Sequence, residues 1–370
     1  MAAGSARSLE VDGIRACAAL AVVFQHLALF TSAFGVFPHA AALASQYGQL
    51  GVPVFCVLSG FCVGTMWFKA PDWRSFAWRR FVRIFPPYYA SVLVVLVLRV
   101  ATCAWLGVPR RQWLGTPTLS EAVAIATLTT WPCRQIGNVQ VVYWTLTFEV
   151  AFYLVMSLVL VAPRQARLVT LVLTSAVCTA LGLSPALDAR PSFLFWCILW
   201  PLFALGVATS LFRRARWAAL AVGMPTLIGL LNIMDHRSYD GYAPTALVTA
   251  GTLLLVARGL RIPPLRWLAA LGRVSYSLYL VHLPVAGFLG QTILRGVTTP
   301  AGRMLAVVVT LAAQIVAARV FYACVESWCV GESRATAAAS GRTDEYHDGP
   351  TAAGVNAGMR VPDNQNCESR

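Results

Sequence analysis

The stretch Leu9-Glu10-Val11-Asp12-Gly13-Ile14-Arg15 runs directly into Ala16-Cys17-Ala18-Ala19-Leu20-Ala21-Val22-Val23-Phe24-Gln25-His26-Leu27-Ala28-Leu29-Phe30. Beyond Arg15 it is apolar except for Gln25 and His26, and it is long enough to cross a bilayer as a helix, which takes about 20 such residues. An ionisable side chain inside a membrane helix is costly unless it is paired or faces a polar cavity, so Arg15 and His26 are functional candidates. Their separation of eleven residues returns to within roughly 20° of one helix face, with a rise of about 16 Å. Arg15 is therefore expected near one membrane surface, and His26 on the same stripe about halfway across. Such a stripe suits a charged donor entering from one side and a proton-transfer group at the reaction centre.

The rest of the chain has the same character. Of its 370 residues, 58% are hydrophobic and only 12% charged, and the mean hydropathy is +0.66. A soluble chain carries about 25% charged residues. Apolar runs of spanning length lie near 11–31, 48–68, 81–106, 140–162, 166–186, 193–212, 217–233, 243–259, 274–294 and 301–324. The expected fold is an all-α polytopic integral membrane protein, with about ten transmembrane helices around a central cavity. The segment after Arg7 is too long and too charged for a cleavable signal. Residues 1–330 are read as the transmembrane domain. Residues 331–370, rich in Ala, Gly, Ser, Asp and Asn, are expected to form a disordered cytoplasmic tail. No internal repeat is evident.

Basic residues alternate between connections. Lys69, Arg74, Arg79, Arg80 and Arg83, then Arg164 and Arg167, then Arg213, Arg214 and Arg216, then Arg258, Arg261, Arg266 and Arg273 occupy every second one, 14 in all. The opposite set holds seven: Arg110, Arg111, Arg134, Arg190, Arg237, Arg295 and Arg303. The positive-inside rule then places both termini and the basic loops in the cytoplasm, with the bacterial inner membrane as the expected bilayer. The net charge of +14 is spread over these loops, which argues against nucleic acid and for an anionic lipid surface or an anionic cosubstrate. All basic residues but Lys69 are arginines, a residue suited to bidentate phosphate recognition. The ten cysteines are scattered, with no CxxC spacing, and read as small buried hydrophobes. No metal-ligand cluster or Gly-rich phosphate loop is present, so no metal is expected.

Further segments stand out, some as candidates for chemistry and some for packing. In Trp78-Arg79-Arg80-Phe81-Val82-Arg83-Ile84-Phe85-Pro86-Pro87-Tyr88-Tyr89, Arg80 and Arg83 share a helix face. Two guanidinium forks there could hold a phosphate or pyrophosphate; a purely topogenic cluster is the other reading. Glu149, in Tyr143-Trp144-Thr145-Leu146-Thr147-Phe148-Glu149, needs a partner, for which Arg15, Arg83 and His26 are candidates. It would then either orient a histidine or serve as an arginine's counter-ion. Ser275-Tyr276-Ser277-Leu278-Tyr279-Leu280-Val281-His282-Leu283-Pro284 reads as a kinked packing helix, with His282 bonded to nearby backbone or lining a cavity rather than acting as a second base. Small residues in Gly51-Val52-Pro53-Val54-Phe55 and Leu58-Ser59-Gly60-Phe61 fit close helix approach or local unwinding rather than chemistry.

Together these segments resemble membrane-bound acyltransferase family 3. The resemblance rests on Asp12-Gly13-Ile14-Arg15 followed by His26, on Phe55 to Phe61, and on Arg80, Arg83, Ile84, Pro86 and Tyr88. It continues through Trp144, Leu146, Glu149, Phe152 and Tyr153, then Ser275 to Pro284, and closes at Val325-Glu326. The order is the family's, over about residues 8–327. Ala16 stands where the family has glycine and Thr145 where it has serine; Val150-Ala151 replaces a polar pair, leaving Glu149 without acidic or amide neighbours. The stand-alone form of the family is expected, since no esterase-like segment follows the last span.

The resemblance implies transfer of an acyl group, most often acetyl from acetyl-CoA, to a hydroxyl of a carbohydrate or glycosylated acceptor. His26 would be the general base, with Glu149 its catalytic companion, and Arg15, Arg80 and Arg83 would hold the CoA phosphates at the cytoplasmic mouth. The residues by themselves also allow a proton-coupled transporter or flippase, in which His26 and Glu149 relay protons and the arginines bind an anionic solute. A non-catalytic membrane scaffold is a third class.

Overall fold

The structure, a computed structural model, describes residues 9–32, 38–70, 72–109, 118–130, 139–184, 194–235, 239–260, 266–329 and 331. Arg110, Arg111, Arg134, Arg190, Arg237 and Arg261 of the loops, and the proposed tail beyond Gly331, lie outside the described residues.

Every regular element among the described residues is helical. In order these are α1 (Leu9–Ser32), α2 (Pro38–Tyr47), α3 (Gly51–Trp67), α4 (Trp73–Leu106), α5 (Leu119–Thr127), α6 (Trp144–Val159) and α7 (Arg167–Gly182). They continue with α8 (Trp200–Leu211), α9 (Arg216–Asp235), α10 (Tyr242–Ala257), α11 (Arg266–Arg273), α12 (Ser275–Gln291) and α13 (Pro300–Phe321), which ends in a π turn at Tyr322–Glu326. In a bilayer the backbone must satisfy its own hydrogen bonds, which is why apolar sequence of this length folds as helix. Six stretches are long and apolar enough to cross a membrane: Leu9–Ala28, Ala42–Trp67, Trp73–Leu106, Val141–Val159, Arg216–Asp235 and Pro300–Cys329. Large apolar side chains such as Leu154, Leu158, Leu173, Leu231, Val248, Val308 and Val316 are exposed on outward faces. A bilayer covers such a surface, whereas a water-soluble monomer rarely shows one. The chain is a multi-pass membrane protein.

Three elements differ from the expectation. The third expected span is α4, which starts at Trp73, ahead of the expected 81, so Arg74 and Arg79 also sit on helix, together with Arg80 and Arg83, whose shared helix face was expected. Asp72 caps it, its carboxylate accepting from the Ser75 amide at 2.9 Å and the Ser75 hydroxyl at 2.7 Å. A side-chain acceptor at that position satisfies amides the helix itself leaves unpaired, so helix begins well before the apolar run does. The uncharged first connection holds α2, and the basic connection before α12 holds the short α11; both are too short to announce themselves by hydropathy.

Close packing of α3 on α8 organises the core. A Cβ on Gly60 would lie 2.1 Å from the Phe203 carbonyl oxygen, and one on Gly206 would lie 2.1 Å from that of Val57. The two glycines let the backbones touch, as small residues do between membrane helices. Phe152 stacks on Phe203 at 4.6 Å and packs against Trp200 at 5.7 Å, tying α6 to α8. Trp200 in turn donates to the Ser175 hydroxyl of α7 at 3.1 Å. Elsewhere α12 packs along α13, and α1 contacts α11, α3 and α12. This places the motif-bearing helices α1, α3, α4, α6 and α12 around shared space.

Candidate active site

Several helix ends meet at a cavity of about 670 Å³. Arg15 enters from the start of α1, Lys69 from just beyond α3, and Arg80 and Arg83 from the first turns of α4. Arg214 follows the end of α8, and Arg273 ends α11. Glu149 of α6 and Glu326 of the π turn supply the two carboxylates of the lining. Six cations against two carboxylates leave a cavity of strongly positive potential, which favours an anionic occupant.

The arginines are held in different ways. Arg15 contacts Asp12 Oδ1 at 3.4 Å and donates to the Cys62 sulfur at 3.1 Å. Arg80 is buried, with its guanidinium 5.4 Å from the ring centroids of both Phe76 and Tyr153. One of its terminal nitrogens donates to the Met66 sulfur at 3.2 Å, and its buried Nε has no hydrogen-bond partner among the described residues. Arg83 lies over the Tyr276 ring at 6.0 Å, with Glu326 and Glu149 among its electrostatic neighbours. Among the described residues neither Arg80 nor Arg83 makes an ion pair. A buried, unpaired donor costs roughly 1–3 kcal/mol, and a phosphate oxygen would satisfy it with a charge-assisted bond. The donor set therefore fits phosphate chemistry.

Glu149 is placed by hydroxyls. Ser59 donates to its Oε1 at 2.8 Å and Tyr153 donates to the same oxygen at 2.5 Å. These two residues supply what the apolar Val150-Ala151 pair does not. Of the three partners considered for Glu149, Arg83 is an electrostatic neighbour, and Arg15 shares the cavity lining. His26 makes no hydrogen bond with Glu149. Glu326, buried and accepting from Ser277 at 2.6 Å, is the second carboxylate of the site. π turns recur at functional sites, but nothing in the local sequence announced this one.

His26 stands apart from the cavity lining. Its Nδ1 is 2.9 Å from the Val22 carbonyl oxygen and 3.3 Å from Nε2 of His282. His282 is fully buried, with its own Nδ1 3.1 Å from the Leu278 oxygen and 2.9 Å from the Tyr279 oxygen. The expectation that His282 bonds neighbouring backbone is met; its meeting with His26 was not foreseen. Tyr279 joins the two regions. It lines the cavity, packs against His282 with ring centroids 6.1 Å apart, and bonds the Thr145 hydroxyl at 2.5 Å. The change from serine to threonine at 145 thus keeps the hydroxyl in use. Arg214, Arg273 and Lys69, read from sequence as topogenic, also reach this cavity.

A family model described as an acyltransferase domain matches residues 8–319. The protein named "Putative membrane-bound transacylase BcsY", from Komagataeibacter xylinus, is 27% identical over 307 residues, covering 75% of this chain and 72% of that protein. No solved structure matches the chain. With the family model matching residues 8–319 of the 370, the chain belongs to the acyltransferase-3 family and is a membrane acyltransferase.

Proposed function

We propose that the protein moves an acetyl group from acetyl-CoA to a hydroxyl of a carbohydrate or glycosylated acceptor. The excess of arginine over carboxylate in the cavity, with Arg80 Nε unpaired among the described residues, carries this reading. Arg15, Arg80 and Arg83 bind the CoA phosphates, arginine's fork matching phosphate oxygens in pairs. Arg214 and Arg273 add to the attraction at the same mouth.

In the chemical step His26 Nε2 takes the proton of the acceptor hydroxyl while its oxygen attacks the thioester carbonyl. The C–O bond forms, the C–S bond breaks, and the proton passes from His26 to the departing CoA sulfur. Glu149, fixed by Ser59 and Tyr153, balances the arginine charge beside the thioester.

Ten helices cross the membrane in this reading. They are the six long ones together with Arg167–Gly182, Phe195–Leu211 and Tyr242–Ala257 and with α12. Both termini are cytoplasmic in a bacterial inner membrane, which places the arginine mouth on the cytosolic side. The donor comes from the cytosol and the acceptor from the opposite face. Purified protein incubated with acetyl-labelled acetyl-CoA tests the donor: label should leave CoA by transfer or slow hydrolysis. A transporter or scaffold leaves the thioester intact. Membranes of a strain lacking the gene test the acceptor, through the loss of O-acetyl signals from surface glycans.

A further inference from the structure

The two histidines are arranged so that only one pattern of protons fits them. Leu278 and Tyr279 present carbonyl oxygens to His282 Nδ1 at 3.1 and 2.9 Å. A carbonyl only accepts, so that nitrogen carries the hydrogen and His282 Nε2 carries a lone pair. The lone pair lies 3.3 Å from His26 Nδ1, which also has the Val22 oxygen at 2.9 Å. Both neighbours of His26 Nδ1 are acceptors, so the hydrogen of neutral His26 sits on Nδ1 and its lone pair on Nε2. His26 Nε2 makes no hydrogen bond among the described residues, and the residue is only partly buried.

We propose that His282 is a positioning residue for acyl transfer: it holds His26 in the Nδ1–H tautomer and steadies the imidazolium formed when Nε2 takes the acceptor's proton. The inference rests on His26 being the general base. It assigns to a neutral imidazole the part a carboxylate plays in other triads, where loss of the orienting group leaves the base in the wrong tautomer. Bond balance is simple. The acceptor O–H proton moves to His26 Nε2, the Nδ1–H stays in place and strengthens its bond to His282 Nε2, and the proton leaves again to the CoA sulfur.

The surroundings suit a fixed orienter. His282 is buried at 0% exposure on α12, between Tyr279 on its own helix and His26 on α1. Gln314 of α13, equally buried, donates to the His282 carbonyl oxygen at 2.9 Å, pinning the helix turn that aims the ring. A neutral ring also avoids placing a second charge in this apolar interior, where a carboxylate would need further partners. Glu149 is bonded elsewhere, to Ser59 and Tyr153, so the part falls to His282.

The test compares His282→Ala and His282→Gln with the wild type in nanodiscs, using acetyl-CoA and an accepting glycan extract. In His282→Ala, kcat should fall about 100-fold while KM for acetyl-CoA stays within about twofold. The amide oxygen of His282→Gln accepts the same N–H and should restore about tenfold of that loss. Nitrogen-15 spectra of histidine-labelled wild type, with His26 signals identified by their absence in His26→Gln, should show Nδ1 protonated and Nε2 bare. These spectra need no variant to fold at position 282. A wild-type His26 protonated at Nε2, or a kcat unchanged in His282→Ala, overturns the proposal. Full activity in His26→Gln would instead remove His26 as the base, and the wild-type spectra would still report whether the pairing exists.

Discussion

His26 of α1 and His282 of α12 meet ring to ring, with His282 Nε2 3.3 Å from His26 Nδ1 and centroids 5.1 Å apart. Residues 256 positions apart in the chain thus share a hydrogen bond within one membrane interior. The arrangement leaves a single basic nitrogen, His26 Nε2, and predicts what its loss does. His26→Gln should reduce acyl transfer by at least about 100-fold with insertion and folding intact, since removing a buried ionisable group also removes a desolvation cost. Substantial transfer by His26→Gln, measured at equal protein in nanodiscs, would exclude it as the base.

Arg83→Lys keeps the charge in the cavity and loses the planar fork. Charge-assisted hydrogen bonds contribute about 1.5–3 kcal/mol each, so KM for acetyl-CoA should rise by about tenfold or more while the acceptor KM holds. Parallel changes in both constants, or none, would reduce the α4 arginines to topogenic charges. Dephospho-CoA should compete less well than CoA against wild type, and the gap should narrow in Arg80→Lys.

At the crossing of α3 on α8 there is no room for a side chain. Gly60→Ala brings a Cβ to 2.1 Å from the Phe203 carbonyl oxygen, and backbone there cannot yield cheaply. A loss of about 1–3 kcal/mol is expected from such overpacking, seen as a lower unfolding temperature in detergent. Gly223→Ala, where a Cβ would meet nothing within 4 Å, is the control and should leave that temperature unchanged.

Asp72 ties the start of α4 to its preceding turn. Burial works against its charge, but hydrogen bonds from the Ser75 amide and hydroxyl and from the Arg74 amide outweigh it, aided by Arg79, and hold the carboxyl below its ordinary range. A folded-state value below the unfolded one means that this contribution is present above about pH 4 and fades as the pH falls through the lower, folded value. Asp72→Ala should cost about 1 kcal/mol. The difference from wild type, followed by thermal unfolding, should be full at neutral pH and shrink in strong acid. A gap that widened on acidification would contradict the cap.

How much of this was legible in the sequence depended on the range of the interaction. Hydropathy located the six stretches that are long and apolar enough to cross a membrane, because an apolar run of bilayer length has few other uses. It misplaced the start of α4, because arginines interrupt the run while Asp72 and Ser75 still nucleate helix. The spacing of Arg80 and Arg83 gave a shared face, and the cavity places them together with Arg15. Local spacing said nothing of Arg214, Arg273 or Glu326 joining them, since each arrives from a different helix end. The sequence suggests His282 bonded to neighbouring backbone or lining a cavity; it bonds the preceding turn of its own helix, and its partner on α1 lay beyond any local pattern. Glu149 drew its partners from Ser59 on α3 and Tyr153 one turn further along its own helix, neither of them charged and so neither conspicuous.

The proposed mechanism depends on a donor site that opens to one side of the membrane. Protein should be reconstituted in liposomes with its orientation fixed by protease accessibility of the connection carrying Arg164 and Arg167, and acetyl-labelled acetyl-CoA supplied to one face at a time. Label should leave CoA only when the donor shares a side with that connection and with the Arg80–Arg83 mouth, and the Arg83→Lys protein should need roughly tenfold more donor to reach the same rate. Equal turnover from both faces, or turnover only from the opposite face, would contradict a cytosolic acyl-CoA site at the arginine cluster.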